Sequence, residues 1–244
     1  MKILVCISKT PETTAKVAFK DGNSSYDESG VQFIMNPYDE WYALVRAVEL
    51  KEASGGSVTV INVGDATNDV VIRKALAIGA DDAIRVDAAA SSASFVAKQI
   101  AAQAEGYDLV LTGKETIDYN GSEVGAMVAE HLGLPYVSYC TNLEVSGSEA
   151  TITRDIEGGA EVSKVSTPLV ISAAKGMAEQ RIPNMRGIMM AKRKPLNVVP
   201  AVAADNLAVA TSFELPAGKT TVKMIDPDNM DELVRLLIEE AKVL

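Results

Sequence analysis

Residues 108–135, DLVLTGKETIDYNGSEVGAMVAEHLGLP, contain the pattern that decides the fold. The apolar run at 108–111 predicts a buried strand, and residues 123–132 carry apolar side chains at helical spacing until Gly133 and Pro135 end the pattern. The intervening loop is rich in glycine and small polar residues. A strand followed by such a loop and a helix is typical of one half of a β–α–β unit, in which the strands are parallel.

The chain before this stretch repeats the same alternation three times. We therefore predict an α/β fold, an open and mostly parallel doubly wound sheet of the Rossmann-like, adenine-nucleotide-binding kind. The predicted strands and helices alternate along the chain, with strands at 3–7, 57–63 and 83–86 and helices at 39–53, 69–78 and 94–104.

The pattern changes after Pro135. Residues 137–145 and 150–156 flank a Ser-Gly-Ser turn and predict a β-hairpin, which further strand signals extend to residue 172. Residues 180–196 mix Pro, Gly, Met and Arg without a clear period, and 197–229 are broken by prolines. We predict an α/β domain over 1–196 that includes the hairpin region 137–172. An extended arm over 197–244 follows and ends in a short helix from Met230, capped by Asp228 or Asn229.

Composition excludes several classes of function. The 244 residues include 23 Lys+Arg and 33 Asp+Glu, and a net charge of −10 does not favour nucleic-acid binding. His131 is the single histidine, and Cys6 and Cys140 are the two cysteines, so zinc fingers, disulfide scaffolds and His-based triads lack their residues. We expect no metal site and no catalytic residue, and we expect His131 to be packed. The chain has no targeting or membrane-spanning pattern, which predicts a cytoplasmic protein.

A ligand site is expected where parallel strands end. Ligands of such sheets bind beyond the carboxyl ends of the strands, which here are followed by residues 6–9, 36–39, 63–66 and 113–125. The last segment leads into a helix, whose free N–H groups suit a phosphate near Ser122–Gly125. An ordinary strand-to-helix loop is the alternative. The dinucleotide motif G-x-G-x-x-G and the Walker A motif are absent, so any nucleotide must be held differently.

Six separated segments resemble the β (small) subunit of electron transfer flavoprotein, in register over essentially the whole chain. The most specific segment combines a basic and an acidic residue, a Gly-Gly pair, a Glu and a Pro before an apolar strand. The six are MKILVCISK (1–9), MNPYDEWYALVRAVELKE (35–52), IRKALAIGADDAIRV (72–86), DLVLTGKETID (108–118), TRDIEGGAEVSKVSTPLVISA (153–173) and RGIMMAKRKPL (186–196).

The resemblance implies a heterodimer with a larger α subunit, which holds most of the main FAD. The arm and the short helix of residues 197–244 would pack on this subunit. Electrons would come from flavin dehydrogenases such as acyl-CoA dehydrogenases and leave to a membrane quinone oxidoreductase. The chain would be a redox carrier subunit rather than a classical enzyme, because the cofactor supplies the chemistry. Respiratory members bind a structural AMP in the β subunit, whereas bifurcating members bind a second FAD there and use NADH.

The resemblance also assigns roles to individual residues. Asn36 would pair with an adenine edge. Glu161 would lie near the flavin between the subunits and gate the mobile domain through a salt bridge. Residues 180–190 would form a partner-docking loop anchored by Met185 and including Asn184, Arg186 and Gly187. The cofactor contacts carried over by position are Cys6, Asn36, Pro37, Tyr38, Asp39, Val63, Asp118, Asn120, Gly121, Ser122, Glu123, Val124, Gly125, Ala126, Met127 and Ala129.

The loop at 122–125 departs from the patterns of both groups. The Asn and Thr of the respiratory pattern are missing, and the bifurcating pattern is shared only at Val124 and Gly125. Glu123 would repel further phosphate groups, so AMP is favoured over a second FAD. A basic run at 192–194 is either a solvated surface or a contact for the α subunit.

Two other classes remain open. One is a stand-alone adenine-nucleotide-binding regulator, which would need no partner chain and no arm. The other is an ATP-using enzyme, which would need a Gly/Ser-rich loop in place of CISKTPET.

Overall fold

A nine-stranded sheet forms the centre of the computed structural model, which describes residues 1–218 and 221–244. The strands of the described residues are β1 (Lys2–Cys6), β2 (Lys9–Pro11), β3 (Phe19–Lys20), β4 (Ser25–Tyr26), β5 (Phe33–Met35), β6 (Ser57–Val63), β7 (Asp82–Asp87), β8 (Leu109–Gly113), β9 (Tyr136–Ser146), β10 (Glu149–Ile156), β11 (Gly159–Ser166), β12 (Leu169–Ala173) and β13 (Leu196–Pro200). The helices are α1 (Asp39–Ser54), α2 (Asp69–Ile78), α3 (Ala93–Ala101), α4 (Val124–Leu132), α5 (Met185–Ala191) and α6 (Met230–Glu239).

The order of the strands confirms the predicted fold class. The sheet runs β11-β10-β9-β12-β8-β1-β6-β7-β13. In this order, each pair of neighbouring strands from β9 through β12, β8, β1, β6 and β7 to β13 is parallel. Strand β10 is antiparallel to both of its neighbours, β9 and β11. The predicted hairpin is therefore a three-stranded meander, and Gly147 at its first turn has a positive φ of 60°.

Two separate cores lie on the two faces of the sheet. Ile3 and Val5 of β1 belong to the core that includes side chains of α1 and α2, and the alternate residues Leu4 and Cys6 belong to the core that includes side chains of α3 and α4. This alternation follows from the period of a strand, because neighbouring side chains point to opposite faces. Helices on both faces make the sheet doubly wound, as predicted.

The strand order reverses beside β1. From β1 the chain proceeds to β6 and β7 on one side, and then returns to β8 on the other side. The carboxyl ends of β1 and β8 are therefore neighbours at the switch point, where sheets of this kind bind ligands. The segments after these two strands form the candidate site.

The start of the predicted arm is part of the sheet. Residues 196–200 pair in parallel with β7, which the sequence did not predict, and the first compact unit comprises residues 1–17 and 28–211. Beyond β13, the buried amide of Gln99 donates to the carbonyl of Val202 at 2.9 Å and accepts from its N–H at 2.7 Å. The predicted boundary at residue 196 thus coincides with the start of an edge strand.

The second compact unit comprises residues 18–27 and 212–244. Its rings of Phe19 and Phe213 stack with centroids 5.1 Å apart, and Tyr26 meets Phe19 edge-on. The side chain of Asn229, rather than that of Asp228, caps α6 by accepting from the N–H of Glu232. The packing of this segment on an α subunit stays a prediction, and Lys219 and Thr220 of the predicted arm lie outside the described residues.

Among residues 1–218 and 221–244, no helix is both long enough and apolar enough to cross a bilayer.

Candidate functional site

The loop after β8 is packed closely on the start of α1. A Cβ added to Gly113 would lie 2.7 Å from the Cγ of Glu40 and 3.0 Å from its backbone nitrogen. Only glycine therefore allows the end of β8 to approach α1 this closely. The loop at residues 113–123, called the cleft loop below, begins at this contact.

The side chain of Asn36 holds the cleft loop in place through two hydrogen bonds. Its side chain is fully buried, its Nδ2 donates to the carbonyl of Glu115 at 3.0 Å, and its Oδ1 accepts from the N–H of Ile117 at 3.1 Å. Its own N–H donates to the carbonyl of Ser8. One donor and one acceptor of this amide bind the loop backbone, so Asn36 shapes the loop. The pairing of Asn36 with an adenine edge stays a prediction.

Glu40 is a buried carboxyl at the site that the sequence analysis missed. It is 5% exposed, and it accepts from the N–H and the hydroxyl of Ser8 at 2.6 and 2.7 Å. Burial raises its pKa to about 8, against the opposing effect of the Ser8 hydrogen bonds, and the carboxylates of Asp118 and Asp39 raise the pKa further. Acidic residues are common in the first turn of a helix because they interact favourably with the helix dipole, so no sequence pattern marks Glu40 as unusual.

The N-terminus of α4 has free donors. Glu123 occupies the N-cap position without a side-chain cap, and the first turn carries no acidic residue. Ser92 caps α3 and Asn184 caps α5 through their side chains. Helices α1 and α2 also lack a side-chain cap, but they carry acidic residues in their first turns. The first N–H groups of α4 thus have no capping side chain, which is the arrangement that suits a phosphate.

Gly125 has no space for a side chain. A Cβ at this position would lie 2.8 Å from the Thr112 hydroxyl and 3.0 Å from the Tyr136 hydroxyl. The first turn of α4 therefore packs directly on the end of β8 and on the start of β9. This contact sets the position of the donors of α4 relative to the cleft loop.

The structure brings most of the predicted contact residues to the carboxyl edge of the sheet. Cys6 and Val63 are buried where β1 and β6 end, and burial raises the pKa of the Cys6 thiol. Ala129 lies in the second turn of α4 and is buried in the same core as Cys6 and Val63. The remaining residues are Pro37, Tyr38 and Asp39 at the start of α1, Asp118, Asn120, Gly121, Ser122 and Glu123 of the cleft loop, and Val124, Ala126 and Met127 of α4.

Carboxylates predominate around the cleft loop. Lys114 pairs with Glu115 at 3.0 Å, and this bond lowers the pKa of Glu115. The Ser122 hydroxyl lies 3.4 Å from the other Glu115 oxygen. Burial raises the pKa of Asp39, which Lys114 opposes. The edge therefore tolerates one anionic group more readily than several. In the described part of the chain, no group of three or more His, Cys, Asp or Glu side chains could hold a metal ion.

Glu161 forms its salt bridge within the meander. It lies directly opposite Arg154 in the register of β10 and β11, and the two side chains are 3.1 Å apart. Hydrogen bonds from Arg154 and then from Ser163 lower the pKa of Glu161. A gating role between subunits would require the salt bridge to Arg154 to break and Glu161 to form a new one with the α subunit.

The predicted docking loop contains a helix, α5. The Asn184 side chain accepts from the N–H of Gly187 at 2.8 Å, so these two residues start the helix. Gly187 lies against α2, since a Cβ there would be 2.5 Å from the Ala77 carbonyl oxygen. Met185 is 74% exposed, and Arg186 is exposed beside it. The side chain of Met185 is thus accessible to a partner, and its role as a docking anchor stays a prediction.

The basic run at 192–194 is only partly a surface. Lys194 donates to the carbonyls of Leu76, at 2.9 Å, and Ala80, so it closes the C-terminal end of α2. Burial lowers the pKa of this ammonium group. Lys192 and Arg193 are exposed.

The stability of the protein should depend on pH through Glu40. The folded pKa of Glu40, about 8, exceeds the ordinary value of 4.5, so the folded state binds the proton more tightly. Stability from this group is full below the unfolded pKa and is lost as pH rises toward 8, at about 1.4 kcal/mol per unit of difference. We expect Glu40→Gln to keep both Ser8 hydrogen bonds and to gain several kcal/mol over the native chain between pH 5 and 8 in urea unfolding. Equal pH profiles would contradict this, and Glu105→Gln at an exposed site is the control.

The fold and the site place the chain in the class of doubly wound α/β proteins with a ligand cleft at the switch point of the sheet. Residues 24–204 match the family model described as the electron transfer flavoprotein domain. The chain therefore belongs to the electron transfer flavoprotein family, and it is similar to the β subunits within it.

Three relatives illustrate the range of similarity. The chain is 40% identical to electron transfer flavoprotein subunit beta of Syntrophomonas wolfei, over 90% of this chain and 87% of that protein. It is 33% identical to electron transfer flavoprotein subunit beta of Bacillus subtilis, over 100% of both chains. It is 30% identical to acryloyl-CoA reductase electron transfer subunit gamma of Anaerotignum propionicum, over 82% of this chain and 77% of that protein. These names describe subunits for electron transfer, and membership of the family implies a partner such as an α subunit.

Proposed function

We propose that the chain is the β subunit of a cytoplasmic, heterodimeric electron transfer flavoprotein with AMP as a structural ligand at the cleft loop. FAD held mainly by the α subunit supplies the redox chemistry. Flavin dehydrogenases such as acyl-CoA dehydrogenases are the donors, and a quinone oxidoreductase is the acceptor. Family membership together with the free donors of α4 at the switch point carries this proposal. We propose no nucleic-acid partner and no insertion into the membrane.

The residues at the cleft fit one phosphate. The first turn of α4 offers uncapped N–H groups, and Asn36 and Gly113 hold the cleft loop beside them. The surrounding carboxylates, including Asp39 and Glu115, oppose additional negative charge. This balance supports AMP over a dinucleotide. In this proposal the chain binds and orients the AMP, and the exposed surface of α5 contacts the partner dehydrogenase.

A second FAD is the alternative within the family. The relative from Anaerotignum propionicum is named as an electron transfer subunit of a reductase, so the direction of electron flow can differ between relatives. A bifurcating subunit would hold the second FAD where we place AMP and would use NADH.

Mass spectrometry of the nucleotides released from the complex, copurified with its α subunit, tests the proposal. One FAD and one AMP for each heterodimer is the expected result. Two FAD and no AMP would establish the bifurcating alternative. ATP binding by the chain without a partner would instead support a stand-alone regulator and overturn the proposal.

Glu161 can be tested as a gating residue. We expect Glu161→Gln to leave the fold and the nucleotide content unchanged but to alter the rate of electron transfer from a dehydrogenase, measured by stopped-flow absorbance. Glu149→Gln is a matched control, because Glu149 pairs with Lys164 at 2.8 Å across the same two strands. Equal rates for both variants and the native complex would remove the gating role.

A further inference from the structure

Glu40 connects the two strands that flank the switch point. It lies in the first turn of α1, it accepts two hydrogen bonds from Ser8 just beyond β1, and its Cγ supports Gly113 at the end of β8. Asn36, four residues earlier, contacts the same two segments through Ser8 and Glu115. The segment 36–40 thus holds the ends of β1 and β8 at a fixed separation.

The charge of Glu40 matters to this edge. The groups facing it are Cys6 of β1, Ser8, Asp39 of α1 and Asp118 of the cleft loop. Burial and the two neighbouring carboxylates favour the neutral form, so its pKa of about 8 leaves the side chain mostly protonated at neutral pH. An ionised Glu40 would add a negative charge beneath the cleft loop, in surroundings that screen it poorly.

We propose that Glu40 is a positioning residue for the bound nucleotide, holding the cleft loop through Ser8 and Gly113 and adding no negative charge beneath it while neutral. The inference rests on the proposed function, since it takes AMP as the ligand of the cleft loop. Glu40 would contact the cleft loop and not the nucleotide itself. Glutamine reproduces the neutral carboxyl, because its amide can accept from the Ser8 N–H and donate to the Ser8 hydroxyl.

Calorimetric titration of AMP into the nucleotide-stripped heterodimer between pH 7 and 9 tests this role. We expect the affinity of the native complex to fall several-fold as pH rises through 8. Glu40→Gln should bind AMP as the native complex does at pH 7 and should keep that affinity at pH 9. Glu40→Ala should lose at least ten-fold at both values. Glu105→Gln, at an exposed site, should follow the native profile.

The outcomes separate this inference from the proposed function. If Glu40→Gln shows the same pH profile as the native complex, Glu40 does not act on the ligand, although AMP remains bound. Should Glu40→Ala fail to fold, the glutamine profile alone decides. If the native complex binds no AMP and releases two FAD, the proposed ligand itself is wrong.

Discussion

Replacing Gly125 with valine will expel the nucleotide from the complex and weaken assembly of the heterodimer. The new Cβ would lie 2.8 Å from the Thr112 hydroxyl and 3.0 Å from that of Tyr136, so α4 must move away from the end of β8 and the start of β9. Overpacking of this kind costs about 1–3 kcal/mol. We expect the AMP content, measured by mass spectrometry, to fall at least ten-fold.

Gly159→Val is the control, because Gly159 lies in the edge strand β11 and is not among the predicted cofactor contacts. A Cβ at Gly159 would have no heavy atom beyond its chain neighbours within 4 Å. This variant should retain its nucleotide. Adding Tyr136→Phe to a Gly125→Ala variant should restore part of the binding, since it removes the hydroxyl that the new Cβ meets. A native AMP content in Gly125→Val would refute the assignment of α4 to the site.

Replacing Met185 with alanine will reduce electron acceptance from dehydrogenase partners, while FAD and AMP contents stay unchanged. The side chain is 74% exposed at the first residue of α5, whose backbone is fixed against α2, so it can enter an apolar pocket of a partner. Removing such an anchor typically costs 2 kcal/mol or more, roughly a thirty-fold loss of affinity. Steady-state kinetics against dehydrogenase concentration would show a raised KM.

Met189→Ala distinguishes an anchor from general apolar contact. Met189 is 68% exposed one turn further along α5, and it has the same chemistry. We expect a clearly smaller rise in KM from this variant. Equal effects of the two substitutions, or native kinetics with Met185→Ala, would remove the special role of Met185.

The alternation of strands and helices was predictable because each element has a strong local pattern. The predicted bounds of β6 and α2 agree with the structure, and Gly55 and Gly79 end α1 and α2 as expected. The elements that were missed owe their form to distant contacts. β13 exists because β7 offers it an edge, and α5 depends on Asn184 at its start and on α2 beside it.

The segments that form the candidate site were predictable from the sequence, but the contacts between their side chains were not. The ends of parallel strands share an edge, which located the segments around Cys6, Asn36 and the cleft loop. Hydrogen bonding of the Asn36 amide to the loop and the burial of Glu40 arise from the approach of α1 to β8, which no local pattern encodes. His131 shows the same limit, since it has helical spacing with apolar residues but is exposed.

The two hydrogen bonds between Gln99 and Val202 reduce the conformational entropy that the chain would lose on binding a partner at this segment. The buried amide of Gln99 binds both backbone groups of Val202, and Ser94 in the first turn of α3 accepts from the N–H of Leu207 at 3.2 Å. Ordering a residue costs about 1–2 kcal/mol of conformational entropy. Because folding of the single chain already meets this cost for residues 202–207, a partner that binds there gains affinity from a preorganised surface.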